Sequence, residues 1–169
     1  MDSFKDTFVN QYKVLEHIGS GSFGNVFKAE DTRSGELVAL KIPIDVPERN
    51  NQEWIVKEYQ IYKKLSDPAK GVVDVKMIQK RNKKIMVMNL LGDSLSGLMV
   101  KHSKFHLKTV ILLAIEMIKS IKHVHSRGYL HRDIKPDNFT IGHDKANKLY
   151  CIDFGLATKF QKKNGDHLP

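Results

Sequence analysis

Three glycines spaced as Gly19-x-Gly21-x-x-Gly24 lie between two stretches that both read as strands. Ahead of them, Tyr12 to Ile18 alternates roughly between apolar and polar residues, and behind them runs Asn25-Val26-Phe27-Lys28-Ala29-Glu30. Glycines that lead back into a strand make a hairpin, whereas in a dinucleotide-binding fold the same spacing opens a helix. The following residues extend the pattern. Asp31 to Glu36 is a turn, and Leu37-Val38-Ala39-Leu40-Lys41-Ile42 is a third strand that Pro43 ends. Strands joined by short turns make an antiparallel meander.

Asn51 can cap a helix that runs to about Leu65. Its apolar stripe is Trp54, Ile55, Ile61, Tyr62 and Leu65, and Glu58 falls four residues after Trp54 and four before Tyr62. A carboxylate inside a buried stripe is costly without a partner. Lys41 ends an apolar strand 17 residues earlier. One Lys41–Glu58 pair resolves both oddities.

Val73 to Lys80 and Ile85 to Leu90 read as a hairpin around Lys80-Arg81-Asn82-Lys83-Lys84. A long helix is expected from Thr109 to about Arg127, with Val110, Ala114, Met117, Ile118, Ile121 and Val124 as its apolar face and Gly128 as its stop. That face spreads round much of the helix and calls for covering elements. Short strands flank Asp133 to Asn138 and end at Asp153-Phe154-Gly155. The tail from Lys159 to Pro169 is polar and lacks periodicity.

The chain of 169 residues suits one globular domain or two small lobes sharing a cleft. Its 28 Lys and Arg against 19 Asp and Glu give +9, which raises the odds of a polyanionic partner without choosing among phosphates, acidic peptides, nucleic acid and lipid. The basic clusters Lys80 to Lys84 and Lys159 to Lys163 read as a solvated hairpin tip and tail, and a nucleic-acid binder would need a groove-reading motif or aromatic platform that is missing. Cys151 is the single cysteine, so an intrachain disulfide is impossible and a reducing, cytoplasmic or nuclear compartment is expected. The longest apolar run, Val110 to Ile115, is far shorter than the roughly 20 residues of a membrane span. The start of the chain does not read as a secretory signal. The histidines show no metal-binding spacing, and His131 reads as a packing residue beneath Phe154.

Four motifs carry chemistry. Gly19, Gly21 and Gly24 allow backbone amides to approach phosphates. Lys41, held by Glu58, can grip nucleotide phosphates. In His131-Arg132-Asp133-Ile134-Lys135-Pro136-Asp137-Asn138, Asp133 could accept a hydroxyl proton, Lys135 could neutralise the transferred phosphate and Asn138 could ligate a metal. Asp153, ending the strand Leu149-Tyr150-Cys151-Ile152, is suited to hold Mg²⁺ bridging ATP phosphates.

In this order the motifs resemble eukaryotic-type protein kinases from about Tyr12 onward. Finer stretches are similar to casein kinase 1: Gly19-Ser20-Gly21-Ser22-Phe23-Gly24, Leu90-Leu91-Gly92-Asp93-Ser94-Leu95, Gly128 to Phe139 and Asp153-Phe154-Gly155-Leu156-Ala157. The resemblance implies an α+β bilobal fold. Residues 12–88 would form a complete N-lobe of antiparallel sheet and one helix, 89–92 a hinge, and 93–169 an incomplete helical C-lobe. It implies Ser/Thr phosphorylation using ATP and Mg²⁺, with protein substrates that are acidic or already phosphorylated. It places Asp133, Lys135, Lys41 and Asn138 in catalysis and Asn138 and Asp153 on the metal. The implied ATP-binding set is Gly19, Ser20, Gly21, Ser22, Phe23, Gly24 and Asn25 over the phosphates, Ile18, Val26 and Ala39 above the adenine, Lys41 with Glu58, Met88 as gatekeeper, the hinge from Asn89 to Leu91, and Thr140 and Ile152.

Three departures stand out. Asn89 replaces a frequent acidic residue, Thr140 replaces a bulky aliphatic in the adenine floor, and the family's activation segment, docking loop and anchoring helices would continue past Pro169. The competing expectation is a truncated kinase-like chain that binds nucleotide or a partner without transferring phosphate.

Overall fold

A computed structural model of the chain describes residues 6–21, 24–44, 52–143 and 148–161. Asn51, Ser22, Phe23 and the end of the tail lie outside the described residues. The chain forms two compact units, one from Met1–Gln60 with Val75–Leu90 and one from Ile61–Asp74 with Leu91–Pro169.

The first unit is a six-stranded antiparallel sheet in the order β1-β2-β3-β4-β6-β5, with β1 Phe8–Val9, β2 Tyr12–Ser20, β3 Gly24–Asp31, β4 Leu37–Pro43, β5 Val75–Lys80 and β6 Lys83–Asn89. The expected meander is there, and its strand period of two sorts the side chains. Val14, Phe27, Ala29, Leu40, Ile42, Ile85 and Val87 form one buried cluster. Their neighbours Val26, Ala39, Lys41, Met86 and Met88 therefore take the opposite face, where Val26 is registered with Lys41, Lys41 with Met86 and Ala39 with Met88.

The β5–β6 hairpin is tighter than expected. Its strands run to Lys80 and resume at Lys83, so only Arg81 and Asn82 turn the chain, with Arg81 at φ 52°. Gln52 explains the closure. Its Nε2 donates to the Asn82 carbonyl at 2.8 Å and its Oε1 accepts from the Lys84 amide at 2.6 Å. Just after Gln52 begins helix α1, Glu53–Leu65, whose residues Ile55, Glu58, Ile61, Tyr62 and Leu65 are all buried.

The second unit contains a three-stranded antiparallel sheet in the order β10-β9-β7, built from β7 Leu91–Ser94, β9 Phe139–Gly142 and β10 Leu149–Cys151. A small antiparallel pair joins β8 Tyr129–Leu130 to β11 Thr158–Lys159. Helix α2, Leu95–His102, was not expected from periodicity: it has eight residues with Gly97 inside. Its start is nevertheless signed by Ser94, whose hydroxyl accepts from the Gly97 amide at 3.1 Å.

Helix α3, Leu107–Ser126, corrects the expected apolar face. Of the six residues assigned to it, only Val124 is fully buried; the helix buries Ser120, His123 and Val124. His123 decides the orientation, because its Nε2 donates to the Leu65 carbonyl at 2.8 Å. Val110, Ile111, Leu112, Ile115 and Ile118 are 42–67% exposed, so the described residues leave the other side of α3 uncovered. Among the described residues no helix is long and apolar enough to cross a membrane.

Candidate active site

In the first unit, the glycine segment turns β2 into β3. The Gly21 amide donates to the Gly24 carbonyl at 2.9 Å, and Ser20 is registered with Asn25. Ser20 Oγ donates to Asn25 Oδ1 at 2.9 Å and lies 2.9 Å from His17 Nε2, which fastens the base of the hairpin. Gly24 has a packing reason as well: a Cβ there would meet the Ile42 carbonyl oxygen at 2.8 Å and the Trp54 ring at 3.4 Å.

The expected pair between strand and helix forms. Lys41 Nζ donates to both Glu58 oxygens at 2.8 Å, and the two side chains are 13% and 1% exposed. The Trp54 ring centroid lies 5.8 Å from the ammonium. Ile18 is largely exposed and Val26 is half-buried, whereas Ala39 is buried. Met88 and Asn89 end β6 and Leu91 opens β7, leaving Leu90 as the single residue between those strands.

In the second unit, Asp133 is the hub of a short loop. Lys135 Nζ lies 2.8 Å from its Oδ2, and Asn138 Nδ2 donates to the same oxygen and to the Asp133 carbonyl, both at 2.8 Å. These donors, Lys135 first and Asn138 second, hold the Asp133 carboxyl below its ordinary value of 3.8. Asp133 in return raises Lys135 above its ordinary 10.5. The short 3-10 turn Pro136–Asn138 sets the spacing, because the proline starts the turn and the buried Asn138 ends it.

His131 stands under this loop. Its Nδ1 accepts from the Asp133 amide at 3.3 Å, so Nε2 carries the proton and donates to the Ile152 carbonyl at 2.9 Å. Its ring centroid is 5.0 Å from that of Phe154, the packing role expected for it. Arg132 sits at φ 65° and its Nε donates to the Leu156 carbonyl at 2.7 Å. A side-chain-bearing residue in this left-handed region costs about 1–3 kcal/mol unless its surroundings hold it there.

Asp153 shares that strain at φ 63° and is exposed. The Ile152 amide donates to the Asn138 carbonyl at 2.9 Å, which ties the two candidate metal-binding segments together. The Asp153 amide donates to the Tyr62 hydroxyl at 3.0 Å, and the Tyr62 ring meets Phe154 edge-on at 4.8 Å. Sequence reasoning placed Tyr62 in an apolar stripe and overlooked its oxygen. The signal was available, since a buried tyrosine must find its hydroxyl a partner.

Residues 12–167 match the family model described as protein kinase domain. The chain belongs to the protein kinase family. Kinase domains use ATP and a divalent metal to act on proteins, and the residues singled out in the sequence divide between the two units. Ile18, Gly19, Ser20, Gly21, Gly24, Asn25, Val26, Ala39, Lys41, Glu58, Met88 and Asn89 belong to the first unit. Leu91, Asp133, Lys135, Asn138, Thr140, Ile152 and Asp153 belong to the second.

Two remaining residues of this kinase have plain readings. Thr140 is buried on β9, and among the described residues its Oγ1 is a buried polar atom without a hydrogen-bond partner. Cys151 is fully buried, and burial first, then Asp153, pushes its thiol up to about 12. It is a packing residue, not a nucleophile.

Proposed function

We propose that this kinase transfers the γ-phosphate of ATP to serine or threonine hydroxyls of proteins, in the manner of casein kinase 1. The observation that carries the reading is the Asp133 carboxylate held at once by Lys135 and Asn138. Residues 12–88 act as the N-lobe, 89–92 as the hinge and 93–169 as C-lobe. A metal fits the donor set. Asn138 spends its Nδ2 on Asp133, which leaves Oδ1 as the oxygen offered to a cation, and Asp153 offers a carboxylate. Among the described residues no cluster of three His, Cys, Asp or Glu could hold a metal ion. Two protein oxygens suit Mg²⁺, which takes its other ligands from phosphates and water.

The nucleotide with its metal supplies the phosphorus centre and neutralises its charge. Amides of the Gly19–Gly24 segment and the Lys41 ammonium bind the phosphates, and Glu58 fixes where that ammonium stands. Ile18, Val26, Ala39, Met88, Asn89, Leu91, Thr140 and Ile152 receive the base. Asp133 is ionised at neutral pH as an ordinary carboxylate is, and its donors lower its pKa further. A carboxylate is a weak base and these donors weaken it further, so its first contribution is to orient the substrate hydroxyl, and the proton comes to it late. That order suits a loose phosphoryl transition state. Lys135 balances charge on the moving phosphoryl group.

The casein kinase 1 reading is supported by the Gly19–Gly24, Leu90–Leu95 and Gly128–Phe139 stretches. The chain's +9 charge supports acidic or phosphorylated substrates, and its one buried thiol supports a cytoplasmic or nuclear setting. The test is label transfer from γ-labelled ATP to serine peptides with and without acidic or phosphorylated neighbours. Transfer favouring the acidic series is expected. No transfer to any hydroxyl with Mg·ATP saturating would overturn the proposal.

A further inference from the structure

A cavity of about 540 Å³ opens in the second unit, entirely outside the candidate active site. Three chain segments remote in sequence build it: residues 69–71, the helix α3 stretch 116–126, and Lys148 with Leu149. They bring Lys70, Lys119, Lys122 and Lys148 to one concavity. Glu116 is the one acid among the described lining residues, and Lys119 already neutralises it at 2.7 Å. Three lysine charges remain without a lining carboxylate.

The floor is fixed before any ligand arrives. Gly71 sits at φ 82°, and a Cβ there would meet the Leu149 carbonyl oxygen at 2.7 Å and Ser120 Oγ at 2.8 Å. Only glycine allows this approach, and the Cys151 amide locks it by donating to the Gly71 carbonyl at 2.8 Å. Ser120 and Ser126 turn their hydroxyl protons to the Glu116 and His123 carbonyls. The lysines are therefore the donors this lining offers a ligand, with the Lys148 ammonium 5.7 Å from the Tyr150 ring centroid. Four lysines lining one concavity over a tightly packed floor favour a multiply charged oxyanion, and a volume of this size suits a small ligand rather than a macromolecular face.

We propose that this cavity binds a small anion carrying two or more phosphate groups, free or displayed as a lipid headgroup. The full chain is titrated with inorganic tripolyphosphate at about 0.15 M salt, where charges beyond ~8 Å are screened. Saturable binding at this cavity is expected, read as the component that depends on its lysines and separate from any hold the Gly19–Gly24 segment and Lys41 take on the same triphosphate chain. Removing two of the converging charges, Lys122→Gln with Lys148→Gln, should weaken it about tenfold or more. Lys122→Arg with Lys148→Arg should retain it, which separates lost charge from a damaged fold. Lys80→Gln with Lys84→Gln, at the β5–β6 turn, makes the same charge change elsewhere and should also retain it. Vesicles of phosphatidylcholine containing a bisphosphorylated inositol lipid distinguish the source. Binding to them that fails with the same glutamine pair assigns a headgroup, and binding confined to tripolyphosphate assigns a soluble ligand. Absence of saturable binding, or an equal loss in the two glutamine pairs, would overturn the proposal.

Discussion

Two lysine–carboxylate pairs, one in each unit, share a separation of 2.8 Å and nothing else. Lys41 and Glu58 are 13% and 1% exposed, whereas Lys135 and Asp133 are 49% and 26% exposed. Burial makes the first pair obligatory, because either charge alone would sit desolvated against the sheet. Exposure makes the second adjustable, because water can take over from either partner. The first is suited to holding one ammonium in place, the second to a carboxylate whose partners must exchange as substrate comes and goes. Distance alone would have called them equivalent.

The largest effect expected from this contrast is on rate. Asp133→Asn keeps the hydrogen-bonding shape and removes the charge, so phosphoryl transfer should fall by about 10²–10⁴ while nucleotide affinity holds. Steady-state kinetics beside equilibrium nucleotide binding check this, and near-normal turnover would remove Asp133 from its role.

Stability separates the pairs next. Lys41→Met strands Glu58 and should destabilise the chain by about 3–5 kcal/mol in urea unfolding, with much of the loss recovered when Glu58→Leu is added. Lys135→Met should leave the unfolding midpoint where it was. Equal midpoint shifts for the two lysine variants would mean that burial does not separate the two pairs.

Lys135→Met should show itself in pH dependence instead. Asp133 has its folded pKa lowered by Lys135 and Asn138, so its ionised form persists as pH falls past the ordinary carboxylate value and is lost only at the lowered one. Without Lys135, the acidic limb of the rate profile should move upward toward the ordinary carboxylate value, measured from about pH 5 downward. An unmoved limb would mean that Lys135 does not govern that titration.

The smallest effect is expected from Tyr62→Phe. It keeps the edge-on contact with Phe154 and removes the acceptor of the Asp153 amide, which should cost about 1 kcal/mol and weaken metal–nucleotide binding by about tenfold. Unchanged affinity would leave Tyr62 as packing alone.

Much of this was legible in the sequence where a local rule had no rival. Strand period and turn residues mark the meander, and the misplaced charge of Glu58 points to Lys41 from sequence alone. Other features needed the fold. Helix α2 has a glycine inside and too few turns to show a period. The face of α3 was misassigned because apolar residues nearly encircle it, and His123, a polar residue, turns out to choose the buried side. The left-handed backbone at Arg132 and Asp153 carries no composition signal, since neither is glycine. Tyr62 was read by its ring when its hydroxyl mattered as much.

The proposed function assigns the metal that accompanies nucleotide to the side-chain oxygens of Asn138 and Asp153. The most direct measurement is ATP affinity with and without Mg²⁺, in the unaltered chain and in Asp153→Asn. Magnesium should tighten ATP binding in the unaltered chain by about tenfold or more and do little in the variant, while both melt alike. Equal tightening in the two proteins would contradict the assignment.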